Sequence, residues 1–399
     1  MKTRVAVLFG GHSVEHEVSI ISGIQALGAL DSDKYEAFPV YISKDNRFYV
    51  GDVLRQVASF RDMAACLAEA TRVLMIPMDN GVELWRHPAK KFGNNVMATF
   101  DVAIPVVHGT NVEDGTLMGM LEMLDVPYAA CDVTSSAIGM DKFAMKAVLR
   151  EAGIPVLDAL SFGGKEYAMD SDRVVAQIEE KIGYPVIVKP VNLGSSVGIS
   201  KATDRESLVD ALDLAASFAS RVLVERAVEN LREINCAVLG DADEARASAC
   251  EEPLGAQDIL TFGDKYLSGG SKKTGESGGM SDLKRRCPAD LPDGMTERVQ
   301  ALAVDTFKAL GCMGVARIDF LNDTVTGELW VNEINTIPGS LAFYLWQEVG
   351  VSFSELMDTL VQLAFKRQRD RETLTFTYES NILAGVSFGG SKGAKGAKM

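Results

Sequence analysis

Two segments near the carboxyl end of the chain constrain its fold most strongly. Residues 314–320 and 328–335 each combine apolar residues with regularly spaced polar ones, and a short polar stretch joins them. Such an arrangement predicts two β-strands paired as a hairpin, with the turn centred near Thr326. Because side chains alternate between the faces of a strand, this register also decides which polar groups meet.

The predicted register places two carboxylates opposite each other, Asp319 and Glu333, with Arg317 opposite Asn335. Like charges directly across a ladder destabilise it, and burial increases the cost. A divalent cation held by Asp319, Glu333 and the Asn335 carbonyl oxygen would neutralise the pair, since Mg²⁺ takes one or two carboxylates plus phosphate and water. Arg317 would then bind a phosphate or a developing oxyanion. The alternative is a solvated hairpin with no ligand.

Composition restricts the class of partner. The chain has 399 residues, 47% of them hydrophobic, and a formal charge of −15, which argues against nucleic acid or an anionic membrane as a partner. Six cysteines occur without C-x-x-C or metal-binding spacing, and no apolar run approaches membrane-spanning length. A cytoplasmic protein with reduced thiols is therefore expected.

The first thirty residues predict the opening of an α/β unit. An apolar strand at residues 4–9 runs into a glycine pair, and helical spacing follows from Ser13, interpreted as the N-cap, to residue 29. Glu15, beside the glycine turn, could hold a substrate ammonium. His108 ends a second apolar strand, where open α/β sheets place ligands, but a structural histidine fits the same pattern.

A glycine-rich loop marks a second candidate site. Lys189 ends an apolar strand, and residues 192–200 after it are small, hydroxyl-rich and interrupted by glycine. The N–H groups of such a loop can surround phosphate oxygens, although it lacks P-loop spacing and the position of a Rossmann turn. Further helices are predicted at 135–152, 293–310 and 352–367.

Two later features suggest nucleotide contacts and a lid. Glu225 ends a strand and could accept a hydrogen bond from an adenine amino group, although an ion pair with a surface Arg or Lys explains it equally well. Residues 262–290 form a long polar, glycine-rich stretch of the kind found in lids or disordered segments. Lys265 and Tyr266 at its base favour a lid.

Six motifs occur in order over nearly the whole chain, and together they resemble the D-alanine–D-alanine ligase family. They are FGGHSVEHEVS (9–19), HGT with EDGT (108–110 and 113–116), MDK (140–142), KP with GSSVG (189–190 and 194–198), ARIDF (316–320) and NEINTIPG (332–339).

This resemblance implies the ATP-grasp fold, with three α+β domains and the nucleotide between the central and C-terminal ones. The expected divisions are residues 1–130, 131–225 and 226–385, followed by a disordered Gly/Lys tail at 386–399. The implied activity joins two D-alanine molecules for peptidoglycan synthesis, using ATP and two Mg²⁺ ions, with Mn²⁺ as an alternative. An acyl phosphate is the implied intermediate, and a homodimer is the implied assembly.

The resemblance also implies roles for individual residues. Those implied to bind ATP are Lys142, Lys189, Ser195, Ser196, Glu225, Ala227, Val228, Glu233 and Lys265. Those implied to bind the metal ions are Asp319, Glu333 and Asn335. Those implied to act on the amino acids are Glu15, Ser195, Tyr266, Arg317 and the N–H of Gly339.

Two departures from the family pattern concern specificity. Hydroxyl residues that often bind the second substrate's carboxylate are replaced after Gly339, where Ser340 or Tyr344 could substitute. The expected lid, residues 265–286, is longer and more basic than usual. The alternatives are therefore a D-alanine ligase using D-lactate or D-serine, another carboxylate–amine ligase of this fold, or a nucleotide-binding homologue without turnover.

Overall fold

A computed structural model of the chain describes residues 2–78, 81–194, 197–254 and 285–377. Ser195, Ser196, Lys265 and Tyr266, most of the expected lid, and the 386–399 tail lie outside the described residues. Strands and helices are numbered here in chain order over the described part.

Sixteen strands are described, and they form three sheets. They are β1 (Thr3–Gly10), β2 (Tyr35–Ile42), β3 (Phe48–Val50), β4 (Thr71–Met78), β5 (Gly81–Arg86), β6 (Val96–Phe100), β7 (Val102–Pro105), β8 (Ala159–Gly163), β9 (Val186–Pro190), β10 (Ser200–Ala202), β11 (Arg221–Arg226), β12 (Leu231–Gly240), β13 (Ala245–Pro253), β14 (Arg285–Arg286), β15 (Gly314–Asp323) and β16 (Leu329–Asn335).

Eleven α-helices are described alongside these strands. They are α1 (His16–Ala29), α2 (Met63–Glu69), α3 (Thr116–Met123), α4 (Val133–Met140), α5 (Lys142–Glu151), α6 (Gly164–Met169), α7 (Ser171–Lys181), α8 (Arg205–Phe218), α9 (Met295–Ala309), α10 (Phe343–Gln347) and α11 (Phe353–Glu372). None of the described helices is long and apolar enough to cross a bilayer.

The three sheets follow one another along the chain. The first has the order β6-β5-β4-β3-β2-β1-β7, with β1 parallel to both β2 and β7. The second, β10-β9-β11-β8, and the third, β14-β13-β12-β15-β16, are antiparallel. This α+β arrangement confirms the predicted fold class; the domain boundaries given above stay a prediction.

The two ends of the described chain share one core. The apolar run Val5–Phe9 of β1 is completely buried, as expected for a central strand with parallel neighbours on both sides. Leu356, Leu360 and Ala364 of α11 pack into the same apolar cluster. The last described helix therefore packs in the same core as the first strand. The helical spacing of residues 352–367 does not reveal this long-range contact.

Two helix predictions were wrong at their boundaries. Residues 135–152 do not form one helix, because Asp141 has an extended backbone and its carboxylate caps a new helix by accepting from the N–H groups of Phe143 and Ala144. The first helix begins at His16, with Glu15 and not Ser13 as its N-cap residue; the Ser13 hydroxyl accepts from the Glu15 N–H at 3.1 Å and donates to the His108 carbonyl at 2.7 Å.

Candidate active site

The β15–β16 hairpin has the predicted register. Asp319 is paired with Glu333, and Arg317 with Asn335, before a shift in register between Asp319 and Phe320. All four polar side chains therefore share one face of the third sheet.

The chain itself supplies positive charge beside both carboxylates. Arg317 donates from Nε and Nη2 to the two oxygens of Asp319, at 2.7 and 2.8 Å, and Asn335 donates to the same carboxylate at 3.0 Å. Lys142 lies 3.2 Å from Glu333. Burial lowers the pKa of the Arg317 guanidinium, but Asp319 outweighs burial and the pKa lies well above its ordinary value. Arg317 thus stays charged at any physiological pH.

The donor set suits a hard divalent cation. Asp319, Glu333 and Asn335 offer oxygen atoms on adjacent strands, with no sulfur or imidazole among them. Within the described residues no group of three or more His, Cys, Asp or Glu side chains is arranged around a possible metal position. A cation here would therefore complete its shell with the amide oxygen, water and phosphate, which is the habit of Mg²⁺ and not of a closed protein cage.

Lys142 joins the second sheet's glycine loop to the hairpin. It is the first residue of α5, directly after the Asp141 cap, and is buried. Its ammonium donates to the Leu193 carbonyl at 2.8 Å and also reaches Glu333. Because Leu193 lies in the glycine-rich loop, Lys142 contacts both that loop and the hairpin, which is the position expected of a residue that binds an anion between them.

Glu225 is held by two buried lysines. Its two oxygens lie 2.5 Å from Lys189 and 2.9 Å from Lys146, and all three side chains are at most 4% exposed. Burial raises the pKa of the Glu225 carboxyl, but the two ammonium groups outweigh it and bring the pKa to about 2. Lys189 also donates to Asn332 at 3.0 Å. Glu225 thus forms an ion pair, with buried partners in place of surface ones, and its contact with an adenine amino group stays a prediction.

Lys146 is a site residue that the sequence analysis missed. It lies one turn after Lys142 on α5, a spacing that puts both lysines on one helix face. This spacing was the feature of the sequence that could have identified Lys146 as a site residue. Burial lowers the pKa of Lys146.

The remaining expected nucleotide contacts lie on or just after strands of the second and third sheets. The Ala227 N–H donates to the Pro185 carbonyl at 2.9 Å, and Val228 packs beside a small apolar cluster. Glu233 lies in β12 opposite Leu321. Their contacts with adenine and ribose stay predictions.

Glu15 lies where the first sheet meets the glycine-rich loop. It is buried and precedes α1. A Cβ atom added to Gly109 would lie 3.0 Å from Glu15 Oε2, and one added to Gly194 would lie 3.2 Å from the same atom. Glu15 is thus beside the residue that precedes Ser195. Burial and then Glu15 raise the pKa of the nearby Glu113 carboxyl to about 8.

A buried network joins the first sheet to the segment after β16. His108 contacts the Ile337 carbonyl through Nδ1 at 2.8 Å and the Ser22 hydroxyl through Nε2 at 3.0 Å. The Ser340 N–H donates to the same hydroxyl at 3.0 Å. The structural interpretation of His108 therefore has direct support, since both ring nitrogens are engaged by the protein.

Gly339 opens a turn with unusual backbone geometry. Ser340, Leu341 and Ala342 all have φ near +50°, the left-handed region that L-residues rarely occupy. Such strain costs of order 1–3 kcal/mol per residue and is typical of functional segments. The turn brings Tyr344, at the start of α10, back towards the third sheet.

These elements meet at one junction. Lys142, Lys189 and the carboxylate pair lie between the second and third sheets, and Glu15 approaches them from the first sheet. Three sheets around a cationic junction with an oxygen-ligand pair are consistent with the ATP-grasp class of enzymes.

Comparison with known proteins gives the family. Residues 4–131 match the family model described as D-ala D-ala ligase N-terminus, and residues 148–362 match D-ala D-ala ligase C-terminus. A D-alanine–D-alanine ligase from Acetivibrio thermocellus is 40% identical over 380 residues, covering 92% of this chain and 97% of the relative. One from Thermosipho melanesiensis is 37% identical over 95% of this chain and 98% of its own. The chain belongs to the D-alanine–D-alanine ligase family.

Comparison with solved structures supports the same family assignment. The D-alanine–D-alanine ligase from Coxiella burnetii is 29% identical with a TM-score of 0.76, over 93% of this chain and 96% of that one. The D-Ala:D-Ser ligase VanG from Enterococcus faecalis is also 29% identical, with a TM-score of 0.75, over 91% of this chain and 100% of its own.

Proposed function

We propose that this chain joins two D-alanine molecules into a dipeptide while converting ATP to ADP and phosphate, in the synthesis of peptidoglycan precursors. The observation that carries the proposal is the junction itself. Buried Lys142 lies 3.2 Å from Glu333, buried Lys189 donates to Asn332 one residue before it, and Arg317 pairs with Asp319. Family membership supports the choice of substrates, and the lysines beside the hairpin support the binding of a triphosphate there.

We further propose that Asp319, Glu333 and Asn335 hold two Mg²⁺ ions, which would neutralise the phosphate oxygens and the leaving group when bound. Support comes from the all-oxygen donor set and from the face-to-face carboxylates.

In the proposed reaction the protein's work is positioning and charge stabilisation. Glu15 holds the ammonium of the first D-alanine, whose carboxylate attacks the γ-phosphorus of ATP, so that ADP leaves and an acyl phosphate forms. Lys142 and Lys189 hold the phosphates in line. The neutral amine of the second D-alanine then attacks the acyl carbon, and phosphate departs from the tetrahedral intermediate.

Arg317 and the Gly339 N–H stabilise the oxyanion of that intermediate. Within the described part of the chain, Asp319 engages Nε and Nη2 of Arg317, which leaves Nη1 as the donor. Because Asp319 fixes the guanidinium plane, the donor is aimed before charge develops, and preorganised donors of this kind stabilise transition states by a few kcal/mol each.

The test is a product assay with matched variants. Purified protein with ATP, Mg²⁺ and D-alanine should release D-alanyl-D-alanine and phosphate in equal amounts. Arg317→Ala and Glu333→Gln should each lower turnover by about a hundredfold or more. Glu328→Gln, at an exposed position of the same hairpin, should not. Product only with D-serine or D-lactate as acceptor would establish a different ligase, and no product with any acceptor would refute the proposal.

We also propose a cytoplasmic location and a homodimer. The described cysteines are all free thiols, which suits a reducing compartment that also holds ATP. The dimer rests on family membership alone, and sedimentation equilibrium of the purified protein tests it.

A further inference from the structure

The polar row on the third sheet continues beyond the hairpin. Register pairs Glu333 with Asp319, Asp319 with Asn235 on β12, and Asn235 with Glu251 on β13. Paired residues point to the same face, and adjacent strands lie about 4.8 Å apart, so Glu251 is roughly 10 Å from Asp319 across that face. Asn235 donates to Glu251 at 3.0 Å. A second polar centre therefore lies beside the proposed metal site.

Arg285 and Tyr344 both converge on Glu251. The Arg285 Nη1 group donates to one carboxylate oxygen at 3.3 Å, and the Tyr344 hydroxyl donates to the other at 3.1 Å. The guanidinium carbon of Arg285 lies 3.9 Å from the centroid of the Tyr344 ring. Arg285 Nη2 is buried and has no hydrogen-bond partner within the described residues. Glu251 thus fixes Nη1 of the guanidinium, while Nη2 keeps unsatisfied N–H donors.

This cluster lies on the same side as the oxyanion donor. Arg317 lies two residues before Asp319 on β15, so its side chain shares the face on which Asp319, Asn235 and Glu251 are paired. When the reacting acyl carbon lies beside Arg317, the far end of the attacking acceptor molecule would lie close to Arg285.

Of the two hydroxyls after Gly339, only Tyr344 faces this cluster. Ser340 is buried against α1, where its hydroxyl donates to Gln25 at 2.7 Å and its N–H donates to Ser22. Ser340 is thus engaged by the amino-terminal helix. Of the two hydroxyl residues that the sequence offered, Tyr344 is therefore the one beside Glu251 and Arg285.

We propose that Arg285 binds the carboxylate of the acceptor D-alanine, with Glu251 and Tyr344 fixing the orientation of its guanidinium. The inference rests on the proposed ligase function and specifies its second substrate site. The acceptor must lose a proton from its ammonium before it attacks, so its carboxylate is the charged group left to hold. A guanidinium edge suits a carboxylate because it offers two parallel N–H donors.

A purely structural role for Arg285, as the counter-ion of Glu251, predicts a different result. Loss of a structural ion pair would lower stability and weaken donor and acceptor sites together. Loss of a carboxylate-binding residue would weaken the acceptor site selectively, and would also remove discrimination against acceptors that lack a carboxylate.

The experiment measures the donor-site and acceptor-site KM from initial rates over a wide D-alanine range at saturating ATP and Mg²⁺. Arg285→Met should raise the acceptor KM by about tenfold or more and leave the donor KM within about twofold. The preference of the wild type for D-alanine over D-alaninamide as acceptor should fall by a similar factor. Arg286→Met is the control, since Arg286 is half exposed and pairs with Glu252 and Asp290.

An acceptor KM within about twofold of the wild type, or equal shifts in both KM values, would overturn the inference. If Arg285→Met does not fold, Tyr344→Phe serves, since it keeps the ring but removes the hydrogen bond to Glu251. It should raise the acceptor KM severalfold and leave the donor KM unchanged; no change would contradict us. A wild type that forms no dipeptide would refute the proposed function, whereas dipeptide formation with an unchanged acceptor KM would refute only this inference.

Discussion

At the scale of single residues, the site is dominated by charges that neutralise one another before any ligand binds. Arg317 pairs with Asp319, Lys142 with Glu333, and the lysines 146 and 189 share Glu225. Breaking a buried pair costs more than the pair contributes, because the remaining charge has lost both water and partner. The Glu225 group shows this most clearly, since one carboxylate separates two buried ammonium groups.

Glu225→Gln should therefore lower the free energy of unfolding by about 3–5 kcal/mol at pH 7. The folded-state pKa of Glu225 is about 2, below that of the unfolded chain, so its stabilisation is complete above about pH 4.5. It is lost as the pH falls towards 2. The difference between wild type and variant should shrink over this range, as measured by urea unfolding without nucleotide.

Glu166→Gln provides the comparison for Glu225. Glu166 pairs with Arg173 at 2.9 Å, but both side chains are about half exposed. An exposed pair contributes about 1 kcal/mol at most. Equal stability losses for the two variants would contradict the role given to burial of Glu225.

At the scale of elements, local sequence patterns predict some features and fail on others. The alternation of Arg317, Asp319, Glu333 and Asn335 determines the hairpin register, because strand periodicity and a short turn are local properties. The break between α4 and α5 was missed even though Asp141 is a good N-cap residue, because helical apolar spacing continues across it.

The α5 cap should matter for nucleotide binding as well as for stability. Asp141 accepts from two N–H groups and pairs with Arg221 at 2.7 Å, and Lys142 is the next residue. Asp141→Ala should lower the free energy of unfolding by about 1–2 kcal/mol. It should also weaken ATP binding severalfold in calorimetric titration, because the Lys142 ammonium is no longer fixed between Leu193 and Glu333.

Asp132→Ala is the matched control for this cap. Asp132 caps α4 by accepting from the Ser135 N–H at 2.7 Å, at the far end of that helix from Lys142. A similar loss of stability with unchanged ATP affinity is expected. If both variants weakened ATP binding equally, general loosening and not the position of Lys142 would be responsible.

At the scale of the whole molecule, the site depends on contacts between distant parts of the chain, which sequence patterns do not encode. Lys146 meets Glu225 only because α5 packs beside the second sheet, and Arg285 meets Tyr344 only across the third. Periodicity indicates which face of an element is polar, but not which face of another element it will meet. The family resemblance implied roles for individual residues, whereas their ion-pair partners could be identified only in the folded structure.

Ser22 and Gln25 of the first helix both bond to Ser340 in the turn after Gly339, and Ser22 also contacts His108. The Ser22 hydroxyl contacts His108 Nε2 and the Ser340 N–H, each at 3.0 Å, and Ser22 is fully buried. In the proposed reaction the donor amino acid lies beside Glu15 on one side of this contact, and the Gly339 N–H lies on the other. The hydroxyl thus helps to hold the donor site and the oxyanion donor at a set distance, together with the Gln25–Ser340 hydrogen bond.

Ser22→Ala should lower kcat by about tenfold and leave the KM for ATP within about twofold, because the lysines on the nucleotide side are untouched. The free energy of unfolding should fall by about 1–3 kcal/mol, since the buried Ser340 N–H loses its partner.

Ser19→Ala is the control on the same helix. The Ser19 hydroxyl accepts from the Gly10 N–H and donates to the Val106 carbonyl, and both of these groups belong to the first sheet and its adjoining segments. It should lose comparable stability with kcat nearly unchanged. Equal losses of kcat in both variants would show that the packing of α1, and not its link to the Gly339 turn, governs turnover.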